Sequence, residues 1–230
     1  PRSSAMGLLK SLKGVNIAAG AGAAAPAPQR NSKSPYRRFT FRRGAAESMP
    51  RPEGVSMHTP DASGGTAASE LGKVLRQAVG CDEALRLVDL SDPKLGFASM
   101  PFDKQETAIK VLIRARKVQA VWLPGVGLNN THARAVAALL RGHTGLQALS
   151  LERNALTEPG LLTIAAAIAG HPTLSEVRLG EQQQKRLTSE AATRLVEAME
   201  QTPTLTTLGL DQIPDAALAA RLDAAAATNG

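Results

Sequence analysis

An α/β solenoid of leucine-rich repeats is the fold that this sequence predicts. Five times along the chain an apolar residue is followed, three and five positions later, by two further apolar residues, a pattern typical of the short strand of such a repeat. Each copy is preceded, ten and six positions earlier, by an apolar pair spaced i and i+4, as expected for a helix packed on a sheet. Both observations indicate about five units of one strand and one helix.

The copies of the strand pattern start 33, 28, 28 and 31 residues apart. This interval is too regular for unrelated amphipathic helices, which would explain the helical pairs but not the strand triplets. The predicted core of the strands is Leu85, Val88, Leu90, Val118, Val121, Leu123, Leu146, Leu149, Leu151, Leu174, Val177, Leu179, Leu205, Leu208 and Leu210. The predicted core of the helices is Leu75, Val79, Ala108, Leu112, Val136, Leu140, Ile164, Ile168, Leu195 and Met199.

A solenoid must cover its two ends, because an uncapped end exposes core side chains. The sequence predicts an N-terminal cap helix over 67–79 and an Ala-rich C-terminal cap helix over 215–227. We therefore expect a leucine-rich-repeat domain over 66–230. Within it, Asp103 and Glu106 have the spacing of a capping box, which predicts a helix over 107–117.

Residues 1–65 differ from the rest in charge and composition. They contain 10 Lys and Arg but only 3 Asp and Glu, a net +7 that equals the net charge of all 230 residues, and 7 of the 14 prolines. So few aliphatic side chains cannot bury enough surface for independent folding. We expect 1–65 to form an extended, irregular, basic arm.

The arm contains a short segment in which arginines and aromatics alternate, and it is the candidate binding segment of the arm. Arginine pairs with phosphates and aromatic rings stack on bases, so RNA is a possible partner; an acidic protein such as tubulin or actin suits it equally. Its residues are Tyr36, Arg37, Arg38, Phe39, Phe41, Arg42 and Arg43. Residues 1–46 also lack acids, as organelle transit peptides do, which suggests a mitochondrial protein.

Strand residues that alternate with the core positions should form the open, concave face of the solenoid. Trp122, the only tryptophan, lies between two predicted core residues and should point outward, where it could anchor a partner or the chain's own arm. The candidate interaction residues of this face are Asp89, Trp122, Ser150, Glu152, Arg178 and Asp211.

Catalytic and cofactor chemistry finds little support in the sequence. The single cysteine, Cys81, excludes an internal disulfide framework and a Cys-based zinc site. Gly125 and Gly127 lack the rest of a dinucleotide fingerprint, and His143 and His171 recur in matching turns as repeat symmetry requires. No run of about 18 apolar residues occurs, so no transmembrane helix is expected. We expect a non-enzymatic protein without metal or cofactor.

The best copy of the repeat begins at Gly145 and reads Gly145-Leu-Gln-Ala-Leu-Ser-Leu-Glu-Arg-Asn-Ala-Leu-Thr-Glu-Pro-Gly-Leu-Leu. This segment resembles the leucine-rich-repeat domain of tropomodulin and leiomodin. The long next unit with its Gln-rich turn, 181–184, and the closing helix are similar too, so the resemblance covers about 104–230. It implies the same fold and a link to actin pointed ends. The amphipathic N-terminal helices of tropomodulins have no counterpart in 1–65, and the asparagine that follows the strand recurs only as Asn154.

Two functions remain open from the sequence. The first is a scaffold subunit of a large ribonucleoprotein or mitochondrial multiprotein complex, which docks on other subunits through the repeats and is anchored by the basic arm. The alternative is a cytoskeletal binder, of actin ends by resemblance or of axonemal microtubules, located at the cytoskeleton or cilium.

Overall fold

The structure is a computed structural model that describes residues 67–80, 85–183, 187–211 and 213–230. In this part of the chain, five three-residue strands form one parallel sheet whose spatial order follows the sequence. The strands are β1 (Leu87–Asp89), β2 (Ala120–Trp122), β3 (Ala148–Ser150), β4 (Glu176–Arg178) and β5 (Thr207–Gly209). The predicted class, an α/β leucine-rich-repeat solenoid, is therefore confirmed. The basic arm lies outside the described residues.

One helix precedes the sheet and one follows each strand, and helices that follow one another along the chain pack side by side. The helices are α1 (Ala67–Val79), α2 (Phe102–Val111), α3 (Asn130–Gly142), α4 (Glu158–Ile168), α5 (Ser189–Glu200) and α6 (Ala216–Asn229). Three 3₁₀ turns, at Pro93–Leu95, Phe97–Ser99 and Leu112–Arg114, lie around α2. Each strand is thus linked to the next through a crossover helix, as parallel pairing requires.

The core lies between the sheet and the layer of helices. The middle residue of every strand is buried, and these residues pair in register as Val88, Val121, Leu149, Val177 and Leu208. All predicted core residues of the strands and helices are buried except Val79 and Leu210, which are half-buried. The two-residue period of the strands and the four-residue spacing of the helices thus predicted the core correctly.

The second helix differs from its prediction. The capping box at Asp103 is wrong: α2 begins at Phe102 after Pro101, which makes no side-chain capping hydrogen bond, and ends at Val111. Because the helix already begins at Phe102, Asp103 lies inside its first turn and cannot be the N-cap. Proline supplies a fixed φ and has no N–H to satisfy, which suits a helix entry.

The last helix ends two residues beyond the expected 227. Asp215 caps its start by accepting a hydrogen bond from the amide of Ala217 at 2.8 Å. At the other end Asn229 Nδ2 donates to the carbonyl oxygens of Met199, Thr202 and Leu205. These bonds hold the final turn of α6 against the end of α5 and the loop that follows α5.

Candidate protein-docking face of the sheet

The outward strand residues form two rows that run straight across the sheet, because the parallel strands pair without a register shift. A third row follows two residues later, where backbone hydrogen bonds such as Leu123 to Ser150 and Arg153 to Gly180 continue the ladder. We call these fifteen residues the sheet face. They are Leu87, Ala120, Ala148, Glu176 and Thr207; Asp89, Trp122, Ser150, Arg178 and Gly209; and Ser91, Pro124, Glu152, Gly180 and Asp211.

Four of the six predicted interaction residues lie side by side in the second row. Asp89 pairs with Trp122, Trp122 with Ser150, and Ser150 with Arg178. Adjacent strands are about 4.8 Å apart, so the row from Asp89 to Arg178 is about 14 Å long. Glu152 and Asp211 belong to the third row, so the six residues predicted from the strand alternation lie on one surface.

Trp122 is the large side chain of this surface. Its neighbours Val121 and Leu123 are fully buried, whereas Trp122 itself is half-buried and lies on the opposite face. On the strand next to it Ala148 and Ser150 are small and buried. The indole therefore projects above the small side chains beside it. In this position an aromatic side chain is accessible to a partner.

The acidic residues of the sheet face are held by local hydrogen bonds. Asp89 Oδ1 accepts from the amide and the hydroxyl of Ser91 at 2.9 and 2.6 Å. Asp211 Oδ1 accepts from the amide of Glu181 at 2.7 Å, which links the last two repeats. Because these bonds favour fixed rotamers, the carboxylates are preorganised, and preorganised groups lose less entropy on binding.

One ion pair lies on the sheet face. Arg178 Nε donates to Glu176 Oε1, and the side chain of Glu176 is the more buried of the two. Ser150 Oγ lies 3.4 Å from Glu152 Oε2, a long hydrogen bond. In the described residues no basic side chain lies within ion-pair distance of Asp89, Glu152 or Asp211. The face therefore presents a net negative charge.

The turns after the strands are fixed by Asn154. Its Nδ2 lies 2.8 and 2.9 Å from the carbonyl oxygens of Leu123 and Leu151, and its Oδ1 accepts from the amides of Val126 and Leu128 at 3.1 and 3.0 Å. Asn154 is completely buried. It thus satisfies backbone groups of its own turn and of the preceding one, groups that would otherwise be buried without partners.

Gln182 does the same in the next repeat, which the sequence pattern did not predict. Its Nε2 donates to the carbonyl oxygens of Leu151 and Leu179, both at 2.9 Å, and its Oε1 accepts from the amide of Leu156 at 3.1 Å. The signal was the 28-residue spacing from Asn154 together with a side chain that carries the same amide group. The two side-chain amides thus stabilise the turns that follow β3 and β4, next to the third row of the sheet face.

Three residues at corresponding positions of successive repeats, His143, His171 and Thr202, stabilise the turns that precede the strands. His143 Nε2 lies 2.8 Å from the carbonyl oxygen of Ala115, and His171 Nε2 lies 3.2 Å from that of His143. Thr202 continues the series by donating to the carbonyl oxygen of Ile168 at 3.0 Å. Burial lowers the pKa of His171, which favours its neutral form. These histidines are structural links between repeats, as the 28-residue symmetry indicated.

His132 has a further structural role, at the start of α3. Asn129 caps the helix, and the Asn129 amide donates to His132 Nδ1 at 3.1 Å, so that the imidazole takes the place of the glutamate of a capping box. His132 Nε2 lies 2.7 Å from Gln105 Oε1, and the Phe102 ring contacts the imidazole edge to face. Burial lowers the pKa of His132, while nearby Glu106 raises it more weakly.

The other candidate residues predicted from the sequence belong to the basic arm. Tyr36, Arg37, Arg38, Phe39, Phe41, Arg42 and Arg43 lie outside the described residues. Within the described ranges, no three His, Cys, Asp or Glu side chains are grouped as they would be around a metal ion. No helix of that same part is long and apolar enough to cross a membrane.

Two solved structures share this arrangement of strands and helices. The C-terminal domain of tropomodulin from Caenorhabditis elegans is 16% identical, with a TM-score of 0.63, and the alignment covers 69% of this chain and 92% of that one. Actin-binding site 2 of leiomodin-1 is 18% identical, with a TM-score of 0.62 and coverages of 69% and 88%. At such identities the likeness shows the fold alone.

Sequence comparison gives a more specific assignment. No curated protein matches the chain. The family model of the TMOD/LMOD leucine-rich domain matches residues 70–229, more than two thirds of the chain. This range includes all the described strands and helices except the first three residues of α1. The chain therefore belongs to the family of the tropomodulin and leiomodin leucine-rich domain.

Proposed function

We propose that this chain is a non-enzymatic, actin-binding cytoskeletal protein whose leucine-rich-repeat domain docks through the sheet face. The observation that carries the proposal is the family match over 70–229, because it includes the whole sheet. One solved structure of the same fold is named as an actin-binding site of leiomodin-1. This supports the cytoskeletal alternative of the sequence analysis over the scaffold hypothesis, and nothing in these comparisons points to mitochondria or to a ribonucleoprotein.

The chemistry of the sheet face is that of a protein-binding surface. Tryptophan and arginine are the residues that most often dominate binding energy at interfaces, and here Trp122 and Arg178 lie two strands apart in one row. The carboxylates of Asp89, Glu152 and Asp211 provide a polar rim around them. Such a rim sets orientation and specificity more than raw affinity.

Cosedimentation with actin filaments, together with gel filtration with polymerisation-blocked monomeric actin, tests this proposal. We expect the full chain to bind actin in at least one of the two assays. Trp122→Ala should weaken binding at least tenfold, which corresponds to about 1.4 kcal/mol. Phe102→Ala is the matched control, because Phe102 is the exposed large hydrophobic residue of the described part and lies on the helix layer.

Arg178→Gln and Arg194→Gln form a second matched pair. Both arginines are paired with a carboxylate on the same chain, Glu176 and Glu197 respectively, but only Arg178 lies on the sheet face. Only Arg178→Gln should reduce actin binding. If the parent chain binds neither form of actin, the proposal is wrong; if it binds and the two pairs behave alike, actin uses another surface.

A second candidate function rests on the arm. Its 10 basic residues and the arginine–aromatic segment at 36–43 suit RNA or an acidic protein surface in a larger assembly. Sedimentation of native lysate with and without RNase, and with added actin or tubulin, discriminates among these partners. Cosedimentation that RNase abolishes supports RNA, whereas pelleting with actin or with microtubules supports a cytoskeletal partner.

A further inference from the structure

The sheet face carries three negative charges that no described basic side chain balances. The ion pair of Arg178 with Glu176 uses the single base of the face. Asp89, Glu152 and Asp211 remain, on the first, third and fifth repeats. Their hydrogen bonds come from neutral groups only: Ser91, Ser150 and the amide of Glu181. The face thus offers carboxylates along its whole width, with Trp122 between the first two.

The same chain contains a segment of opposite charge. Residues 66–230 contain equal numbers of acidic and basic residues, so the whole net charge of +7 lies in the arm. Within the arm, Tyr36–Arg43 contains four arginines, three aromatics and no acid. Arginine forms bidentate bonds with carboxylates and stacks on aromatic faces. Its two side-chain types therefore match the two types of group on the sheet face.

The dimensions of the segment also match those of the sheet. Four gaps between five strands make the sheet about 19 Å wide, and Arg37 to Arg43 spans about 20 Å when extended. The segment is joined to α1 by residues 44–66, and a random coil of 23 residues would have a root-mean-square length of about 24–29 Å. The first helix, α1, packs at the β1 end of the solenoid next to the 3₁₀ turn that follows β1, so the tether starts near one edge of the sheet and is longer than the sheet is wide.

We propose that Tyr36–Arg43 binds across the sheet face of its own chain. Its two arginine pairs engage carboxylates at opposite edges of the sheet, and an aromatic ring between them packs on Trp122. A tether of this length gives the segment an effective concentration of order mM, so even weak contacts keep it bound. The inference rests on the proposed docking role of the sheet face, but not on actin, and its test contains no actin.

Trp122 provides the measurement, because it is the only tryptophan of the chain and its fluorescence reports on the sheet face alone. The emission maximum and the quenching by neutral acrylamide are recorded for the full chain at low and at 1 M NaCl. We expect Trp122 to be shielded at low salt. High salt should shift its emission to the red and raise the quenching constant, because exposed charge pairs are screened.

Two charge-reversal variants of equal net charge identify the segment. Changing Arg37, Arg38, Arg42 and Arg43 to Glu should expose Trp122 at low salt and abolish the response to salt. Changing four other basic residues of the arm, Arg2, Lys10, Lys13 and Arg30, to Glu should leave shielding and salt response as in the parent. Circular dichroism checks that both variants keep the folded domain.

Serial dilution decides whether the segment and the face belong to one chain. Shielding that is independent of protein concentration supports the proposal, whereas shielding that disappears on dilution assigns the segment to a second copy and overturns it. The proposal also fails if Trp122 is equally accessible to acrylamide at both salt concentrations in the parent chain, or if both reversed variants behave alike. Because no actin is present, failure of the actin-binding proposal would not change these outcomes, although a segment bound on the sheet face would have to leave before actin could use it.

Discussion

The amide side chains of Asn154 and Gln182 show how single residues determine the shape of the repeat. Each lies where a strand ends and the chain turns toward a helix, and each bonds to backbone groups of two successive repeats. Hydrophobic burial cannot fix such a turn, because its carbonyls and amides point inward. A buried amide that both donates and accepts satisfies groups of either kind at one position.

Asn154→Ala should therefore be among the most destabilising polar substitutions. The amides of Val126 and Leu128 would lose their acceptor inside the protein, and each unsatisfied buried group costs about 1–3 kcal/mol. We expect urea unfolding to show a loss of about 3 kcal/mol in total. Gln183→Ala is the control, since Gln183 is exposed; equal losses for both variants would contradict the role of the Asn154 amide.

The stability of the protein should fall as the pH falls below about 6.5, the unfolded pKa of histidine. Burial lowers the pKa of His132 and of His171 in the folded state, so the unfolded chain binds protons first. Their contribution is present above the unfolded pKa and is lost as the pH falls toward the folded one. Protonation of His132 Nδ1 would break the hydrogen bond that it accepts from the Asn129 amide, which is how the proton uptake would destabilise the fold.

His132→Gln tests this assignment, because glutamine at the same position can still complete a capping box. Thermal melts between pH 8 and pH 5 should show that the melting temperature of His132→Gln depends less on pH than that of the parent. The pH dependence that remains should come from His171. A pH profile identical to that of the parent would mean that His132 does not titrate as described.

The helices approach one another closely enough that small residues become necessary. Gly160 lies in the first turn of α4, where it faces Asn130 at the start of α3. A Cβ atom at position 160 would overlap Asn130 Oδ1, which accepts the amide of Thr157 at 2.9 Å. The glycine therefore permits both the helix contact and the hydrogen bond that holds it.

Gly160→Ala should destabilise the protein, although alanine favours a helix over glycine by about 1 kcal/mol. The expected cause is displacement of Asn130 and loss of its bonds to Thr157. A double-mutant cycle with Asn130→Ala checks this, because the alanine at 160 should become neutral or stabilising once Asn130 is removed. Additive effects of the two substitutions would show that another contact decides the cost.

The strands depend on their central residues. Leu149 is buried in the middle of β3 and pairs with Val121 and Val177 on both sides. Leu149→Ala should cost about 2–5 kcal/mol in unfolding free energy, and the loss should spread because neighbouring repeats share their interfaces. A melting temperature within a degree or two of the parent would disprove the assignment of Leu149 to the core.

At the scale of the whole molecule, the core and the sheet face respond to different substitutions. Trp122→Ala removes a half-buried side chain on the outward side of β2, so the unfolding free energy should fall by less than for Leu149→Ala. Chemical denaturation of both variants measures the difference. A loss for Trp122→Ala as large as that for Leu149→Ala would place the indole in the core and remove the sheet face as a docking surface.

The sequence by itself predicted the fold, the core and the membership of the sheet face. Repetition made this possible, because the strand triplets and helical pairs recur together at intervals of 28 to 33 residues. The register assigned to one unit could therefore be compared with that of every other unit. The outward direction of Trp122 followed from the two-residue period of a strand between Val121 and Leu123.

Only the tertiary structure decided features that depend on atoms distant in sequence. The end of α6 was set by the bonds of Asn229 to the carbonyl oxygens of Met199, Thr202 and Leu205, and the role of Gln182 by a carbonyl of the preceding repeat. The row of Asp89, Trp122, Ser150 and Arg178 required four strands to pair without a shift. Periodicity reports which side of an element is buried, whereas hydrogen-bond partners and lateral register arise only when separate repeats come together.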